Sequence, residues 1–180
     1  ENQIMGSGTI LDTARLRYGL SEHFKVAQGN IHAYVFGEHG DTSFIPWTGA
    51  YISGLSTDEY YEEMKAHGKD VKPLDKEAML EYVQKSGGKV IAKKGATFYA
   101  VSATVCQLVG LILAASDSLA TVSSMLHGEY GIEDVCLSTL TLVGPNGIQG
   151  KVQMRMNKEE IALLKKSADA LKEVIAQIEL

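Results

Sequence analysis

Two short segments of this chain carry side chains fit to move a proton and to grip an anion. In Gly6-Ser-Gly-Thr-Ile-Leu-Asp-Thr-Ala-Arg15, Asp12 and Arg15 stand three apart. On a helix that spacing puts both on one face, where, taken alone, they read as a surface ion pair. In Gly37-Glu-His-Gly-Asp-Thr42, His39 lies between two glycines at the end of a β-prone run. Backbone can approach a ligand closely there and Asp41 can turn the loop, although a single histidine in such a place reads first as a turn residue. Imidazole takes or gives a proton near neutrality. A guanidinium fork holds a planar carboxylate through two parallel hydrogen bonds, which an ammonium cannot imitate.

The elements that must position these groups follow from periodicity. A helix is predicted from Gly6 to about Val26, with Leu11, Ala14 and Tyr18, then Leu20 and Phe24, at helical spacing and Ser7 or Thr9 as its cap. Gly29-Asn30 breaks it, Ile31 to Phe36 reads as a strand, and Ser43 to Trp47 as a second short one. Thr57 to His67 and Asp75 to Ser86 are predicted helices separated by Gly68 and Pro73. Thr97 to Ala115 is the longest apolar run and is expected to form the core helix. Strands are expected at Leu119–Met125, Val135–Val143 and Lys151–Met156, the last two joined by the turn Gly144-Pro145-Asn146-Gly147. Asn157 caps a closing helix with Glu159 and Glu160 in its first turn. This order gives an α+β fold of largely antiparallel strands and long helices, not a βαβ alternation, in one domain over residues 1–180.

Composition narrows the partners. The 180 residues are 45% hydrophobic and 22% charged, with a net charge of −5 that disfavours nucleic acid. Cys106 and Cys136 form no CxxC or metal spacing, which suits a reduced, cytoplasmic protein. Val101 to Ala115 is too short to span a bilayer. His23, His67 and His127 have no ligand constellation and are expected on the surface or in packing. The opening Glu1–Met5 reads as the end of a strand without a signal peptide, so the chain is expected to be a fragment.

The two motifs together, in order and spacing, resemble the signatures of the lactate/malate dehydrogenase family, and GEHGDT is the lactate-type form of the second. The likeness runs through KGATFYAVS at 94–102 and the turn at 143–150, so it covers essentially the whole chain as that family's carboxyl-terminal half. By that resemblance His39 is the acid/base, Asp12 the carboxylate on its other ring nitrogen, and Arg15 the clamp for the substrate carboxylate. Ser7 is implied near the nicotinamide carboxamide, and Thr97 and Val101 beside substrate and nicotinamide. The implied reaction interconverts L-lactate and pyruvate with NAD in a homotetramer. Malate or another L-2-hydroxy acid is the nearest alternative substrate, and a non-catalytic assembly module the alternative of another class.

Arg17 and His32 match positions that bind fructose 1,6-bisphosphate across a subunit interface in bacterial members of the family. Arg17 would leave the helix about 200° from Arg15, and His32, an odd seven residues before His39, would face the other side of a continuous strand. The family's dinucleotide cradle has no counterpart here. Gly6-Ser-Gly-Thr-Ile-Leu11 puts a leucine where the third glycine belongs, and Gly87-Gly88-Lys89-Val90 and Gly150-Lys151-Val152 lack the hydroxyl residue of a phosphate loop. The Rossmann half and the closing loop are therefore expected to be missing, and the fragment alone to be inactive.

Overall fold

The computed structural model describes residues 1–178. Helix α1 (Ile10–Phe24) buries Leu16, Leu20 and Phe24 against Ile31, Val35, Ile52 and Val83. The buried stripe is therefore Ile10, Thr13, Leu16, Leu20 and Phe24, whereas Ala14 and Tyr18 of the expected stripe face outward. The helix also begins four residues later than expected. Gly8 takes φ +52° and the strand-like contact of the opening segment shrinks to one antiparallel bridge, Gly6 to Ser123. Neither Ser7 nor Thr9 caps it; the Thr9 hydroxyl instead donates to the Val35 carbonyl.

Strands β1 (Ile31–His32), β2 (Tyr51–Ile52) and β3 (Leu55–Ser56) form a small antiparallel sheet. The expected strand Ile31–Phe36 is thus only two residues long, and Ser43–Trp47 contributes a single bridge between Phe36 and Phe44. Helix α2 (Thr57–Ala66) starts with a Ser56–Glu59 capping box. Helix α3 (Lys76–Lys94) starts on the Asp75 carboxylate and runs eight residues past its expected end at Ser86, straight through Gly87 and Gly88, to stop at Gly95. It lies against α1, where a side chain at Gly19 would meet Met79 Sδ at 2.7 Å.

Helix α4 (Tyr99–Leu113) is apolar but not the core helix that its composition suggests. Only Thr104 and Leu108 are buried, while Val101, Val105, Val109 and Leu113, four residues apart, are 40–79% exposed. Its inner face covers Ile10, Val122 and Val143. Strands β4 (Ser118–Ala120), β7 (Thr141–Gly144) and β8 (Gly147–Lys151) make one antiparallel sheet, and β5 (Ser123–His127) and β6 (Glu133–Ser138) a paired ribbon. The turn at Pro145-Asn146 does close a hairpin, but its second strand begins at once at Gly147, and 152–156 hold no strand. Each expected long strand is broken, at Thr121-Val122 and at Thr139-Leu140.

Helix α5 (Lys158–Ile175) closes the chain, capped reciprocally by Asn157 and Glu160. Leu164 and Ala168 of this helix cover Phe36, Phe44, Leu126 and Leu137. All strand pairings among the described residues are antiparallel, so the architecture is α+β.

Ser167 of α5 also sits under Gly37, which has φ +97°; a Cβ there would lie 2.7 Å from the serine oxygen. Gly37→Ala is expected to destabilise the protein by about 1–3 kcal/mol through backbone strain. Urea unfolding of both proteins measures it.

Candidate active site

Two threonines one helical turn apart fix α1 to the extended segment that leads to His39. The Thr9 hydroxyl donates to Val35 O, and the Val35 N–H donates to Thr13 Oγ1 at 3.0 Å. The Thr9 N–H donates to Ser138 Oγ at 3.1 Å, and Thr13 Oγ1 lies 3.1 Å from Thr121 Oγ1. Both threonines are buried, so these bonds act without competition from water and hold the first turn of α1 in one place. Asp12 lies between them on the next face.

The loop that carries His39 is fixed from three sides. Phe36 pairs with Phe44, and Gly37 exchanges hydrogen bonds with Ser138 of β6. The Glu38 N–H donates to Ser167 Oγ at 2.8 Å, and the Thr42 N–H and hydroxyl both donate to the Glu38 carboxylate. Thr42 Oγ1 is itself 2.9 Å from Ser167 Oγ. From α3, the Gln84 amide donates to the carbonyls of Asp41 and Ser43, at 3.2 and 3.0 Å.

These supports bring Asp12, Arg15 and His39 together. His39 Nδ1 is 2.6 Å from Asp12 Oδ2, and Arg15 Nη1 is 3.0 Å from Asp12 Oδ1. The Asp12 side chain is only 6% exposed, the His39 ring 62%. An ionised carboxylate only accepts, so Nδ1 carries the proton in this bond and Nε2 is the nitrogen left to a ligand. His39 is held above its ordinary value, chiefly by the hydrogen bond to Asp12, against the desolvation of the ring and the nearby Arg15 charge.

A cavity of about 350 Å³ opens onto the three side chains. Thr97 and Val101 line it, together with Gln84, Gly87, Gly88 and Ile91 of α3. No hydrogen bond from Arg15 other than that to Asp12 is present among the described residues, so its remaining N–H groups are available to an anion. A second cavity, of about 520 Å³, meets the first at His39 and is lined by Ser7, Met125 and Cys136. Ser7 thus lines the second cavity and Val101 the first, and His39 lines both.

No hydrogen bond joins Arg17 to His32 among the described residues. The Arg17 Nε–H donates to Ala33 O at 3.1 Å and its guanidinium lies 5.0 Å over the Tyr34 ring, while His32 is exposed on β1. The chain is not a continuous strand from His32 to His39, so the seven-residue offset does not fix their sides. His23, His67 and His127 bond to the carbonyls of Lys72 and Glu63 and to the Glu1 carboxylate, respectively. Among the described residues there is no group of three or more His, Cys, Asp or Glu that could hold a metal, and no helix is long and apolar enough to cross a membrane.

Residue types did not reveal Gln84, Ser167 or the α3 wall. Gln84 and Ser167 act through loop backbone, which leaves no sequence pattern. Gly87-Gly88 stands out in the sequence only as part of a segment that fails the phosphate-loop pattern.

Residues 9–179 match the lactate/malate dehydrogenase alpha/beta C-terminal domain, and the chain belongs to that family. Two curated relatives are L-lactate dehydrogenases. That of Acetivibrio thermocellus is 44% identical over 100% of this chain and 56% of its own length; L-lactate dehydrogenase 1 of Clostridium acetobutylicum is 42% identical over 99% and 56%. Among solved structures, L-lactate dehydrogenase from Clostridium thermocellum superposes with a TM-score of 0.87 at 34% identity, covering 98% of this chain and 56% of that one. The minor L-lactate dehydrogenase from Enterococcus mundtii gives 0.89 at 29% identity, covering 98% and 55%. The chain thus spans about half the length of the relatives it matches.

Because the folded-state value of His39 is raised, its bond to Asp12 contributes stability that is full below the unfolded value near 6.5 and is lost as pH rises through the folded value. Asp12→Asn is expected to lower the His39 midpoint in an NMR titration and to flatten stability against pH in that window. An unmoved midpoint refutes the pairing.

Proposed function

We propose that this chain is the substrate-binding and acid/base part of a longer NAD-dependent L-lactate dehydrogenase. One observation carries the reading: a single buried carboxylate accepts from His39 on one oxygen and from Arg15 on the other, at the floor of one cavity. Arg15 anchors the substrate carboxylate through the N–H groups it does not give to Asp12. His39 Nε2 takes the proton of the C2 hydroxyl as lactate becomes pyruvate and returns it in the reverse direction. Asp12 keeps the ring in the Nδ1–H form and stabilises the imidazolium that results. Thr97 closes the substrate side of the cavity.

The residues present fit one end of a dinucleotide. The Ser7 hydroxyl and the Val101 side chain, which line two cavities that share His39, suit the polar amide and the flat face of a nicotinamide. When bound, that ring supplies the acceptor or donor of the hydride. No parallel sheet with a Gly-rich turn is present among the described residues to cradle the rest of the dinucleotide. That cradle and the lid belong to the remainder of the longer protein, and this chain alone is inactive. The outward apolar stripe of α4 agrees with a domain that works inside a larger assembly. Malate is the weaker substrate reading, because the walls this chain lends beyond Arg15 and His39 include the apolar Leu11, Ile91 and Val101.

In the full-length protein, Arg15→Lys should lower kcat/KM for pyruvate on the order of 10²-fold, about 3 kcal/mol, by loss of the two-point clamp. Steady-state assays with pyruvate and oxaloacetate decide both points. Near-parental kcat/KM in the lysine variant sinks the carboxylate assignment, and a preference for oxaloacetate sinks lactate.

A further inference from the structure

We propose that Gly87 and Gly88 of α3 are specificity determinants that open the substrate cavity to 2-oxo acids whose side chain is apolar and longer than a methyl group. The proposal rests on the function proposed above and names its substrate class.

Four residues of α3 line the cavity: Gln84, Gly87, Gly88 and Ile91. Their offsets of three, four and seven put them on one helical face, directed at the site. The two in the middle have no side chain, in the interior of a 19-residue helix. Adjacent glycines weaken a helix, and local geometry gives no reason for them here: neither has a positive φ and neither is a cap. Close packing does not require them either. A Cβ at Gly88 would meet nothing within 4 Å, and one at Gly87 would meet only Arg15, at 3.6 Å from Nη2. The contrast within the molecule is Gly19, where a Cβ would be 2.7 Å from Met79 and the glycine is needed for helix packing. The space at 87 and 88 is open within this chain, where Gly88 is exposed, and at Gly87 it adjoins the guanidinium.

The substrate's attachment points give that space a use. With the carboxylate on Arg15 and the C2 oxygen on His39, two groups at C2 are committed and the hydride faces the nicotinamide. The remaining substituent is left to the rest of the cavity, where this chain offers Gly87, Gly88, Ile91 and Val101. A methyl group leaves the glycine face uncovered, whereas a propyl chain fills it. Ile91 and Val101 beside it favour an apolar chain over a second carboxylate.

The test compares pyruvate with 2-oxopentanoate as substrates of the full-length protein and of its Gly87→Ala and Gly88→Ala variants. The parent should turn over 2-oxopentanoate with kcat/KM within about tenfold of that for pyruvate, and Gly87→Ala should lower the ratio of the two on the order of tenfold, the effect of one misplaced methylene. Gly88→Ala should lower it in the same direction. Alanine is the better helix former, so the melting temperature should hold or rise, which removes misfolding as an explanation. A ratio unchanged in both variants, or an equal fall for both substrates, overturns the proposal while leaving the lactate-type reaction intact. A parent that turns over pyruvate but not 2-oxopentanoate overturns it as well. A parent inactive on both overturns the underlying function with it.

Discussion

The structure turns on how one buried carboxylate divides its two oxygens. Asp12 gives Oδ2 to a ring that is largely in solvent and Oδ1 to a guanidinium that is largely covered. A buried carboxylate needs partners for both oxygens, since an unpaired one would be expensive in a low-dielectric site. Satisfying it orients two reactive groups at once. The imidazole is turned so that Nε2 is left to the ligand, and the arginine is tethered at one nitrogen while the rest of its fork stays available. The same atom pairs that balance a burial penalty thereby prepare a proton carrier and an anion anchor.

That arrangement requires helix and loop to be registered within hydrogen-bond tolerance, although 27 residues separate Asp12 from His39. The Thr9 and Thr13 bonds to Val35 supply the register on one side, and the bridge of Gly37 to Ser138 supplies it on the other. Little of the support comes from regular strand. The segment from His32 to Gly37 is held by side-chain bonds and isolated bridges, which place a residue without fixing the alternation of a sheet.

The sequence showed more of the chemistry than of the scaffold. Asp12, Arg15 and His39 stand in short motifs with distinctive types, and Asn157, with Glu160 three residues on, is a local capping signal that needs no tertiary information. The hairpin turn at Pro145-Asn146 was legible for the same reason. What depends on long-range contacts was not. Ile31–Phe36 has strand composition, yet only Ile31 and His32 find a ladder partner. The expected helix stops at Ser86, just before Gly87-Gly88, yet α3 continues to Lys94, where Lys89, Ala92, Lys93 and Lys94 favour helix although Val90 and Ile91 do not. Apolarity alone placed α4 in the core, but composition does not say what covers a face, and Val105, Val109 and Leu113 are uncovered within this chain. Gln84 and Ser167 serve the site through backbone groups of a distant loop, a role no residue type announces.

Ser167 ties two distant parts of the chain together. It joins the last helix to the peptide unit just ahead of the imidazole, and the Thr42 and Glu38 side chains close the ring around it. The arginine clamp has no such tie: it hangs on the first helix, and α3 is its neighbour. Proton handling thus has a mooring at the carboxyl-terminal helix that anion anchoring lacks, while Asp12, the Thr9 and Thr13 bonds to Val35 and the Gln84 bonds tie the histidine loop to α1 and α3 as well. A disturbance of the carboxyl-terminal helix would reach the histidine before the arginine, so the two halves of the site need not respond alike.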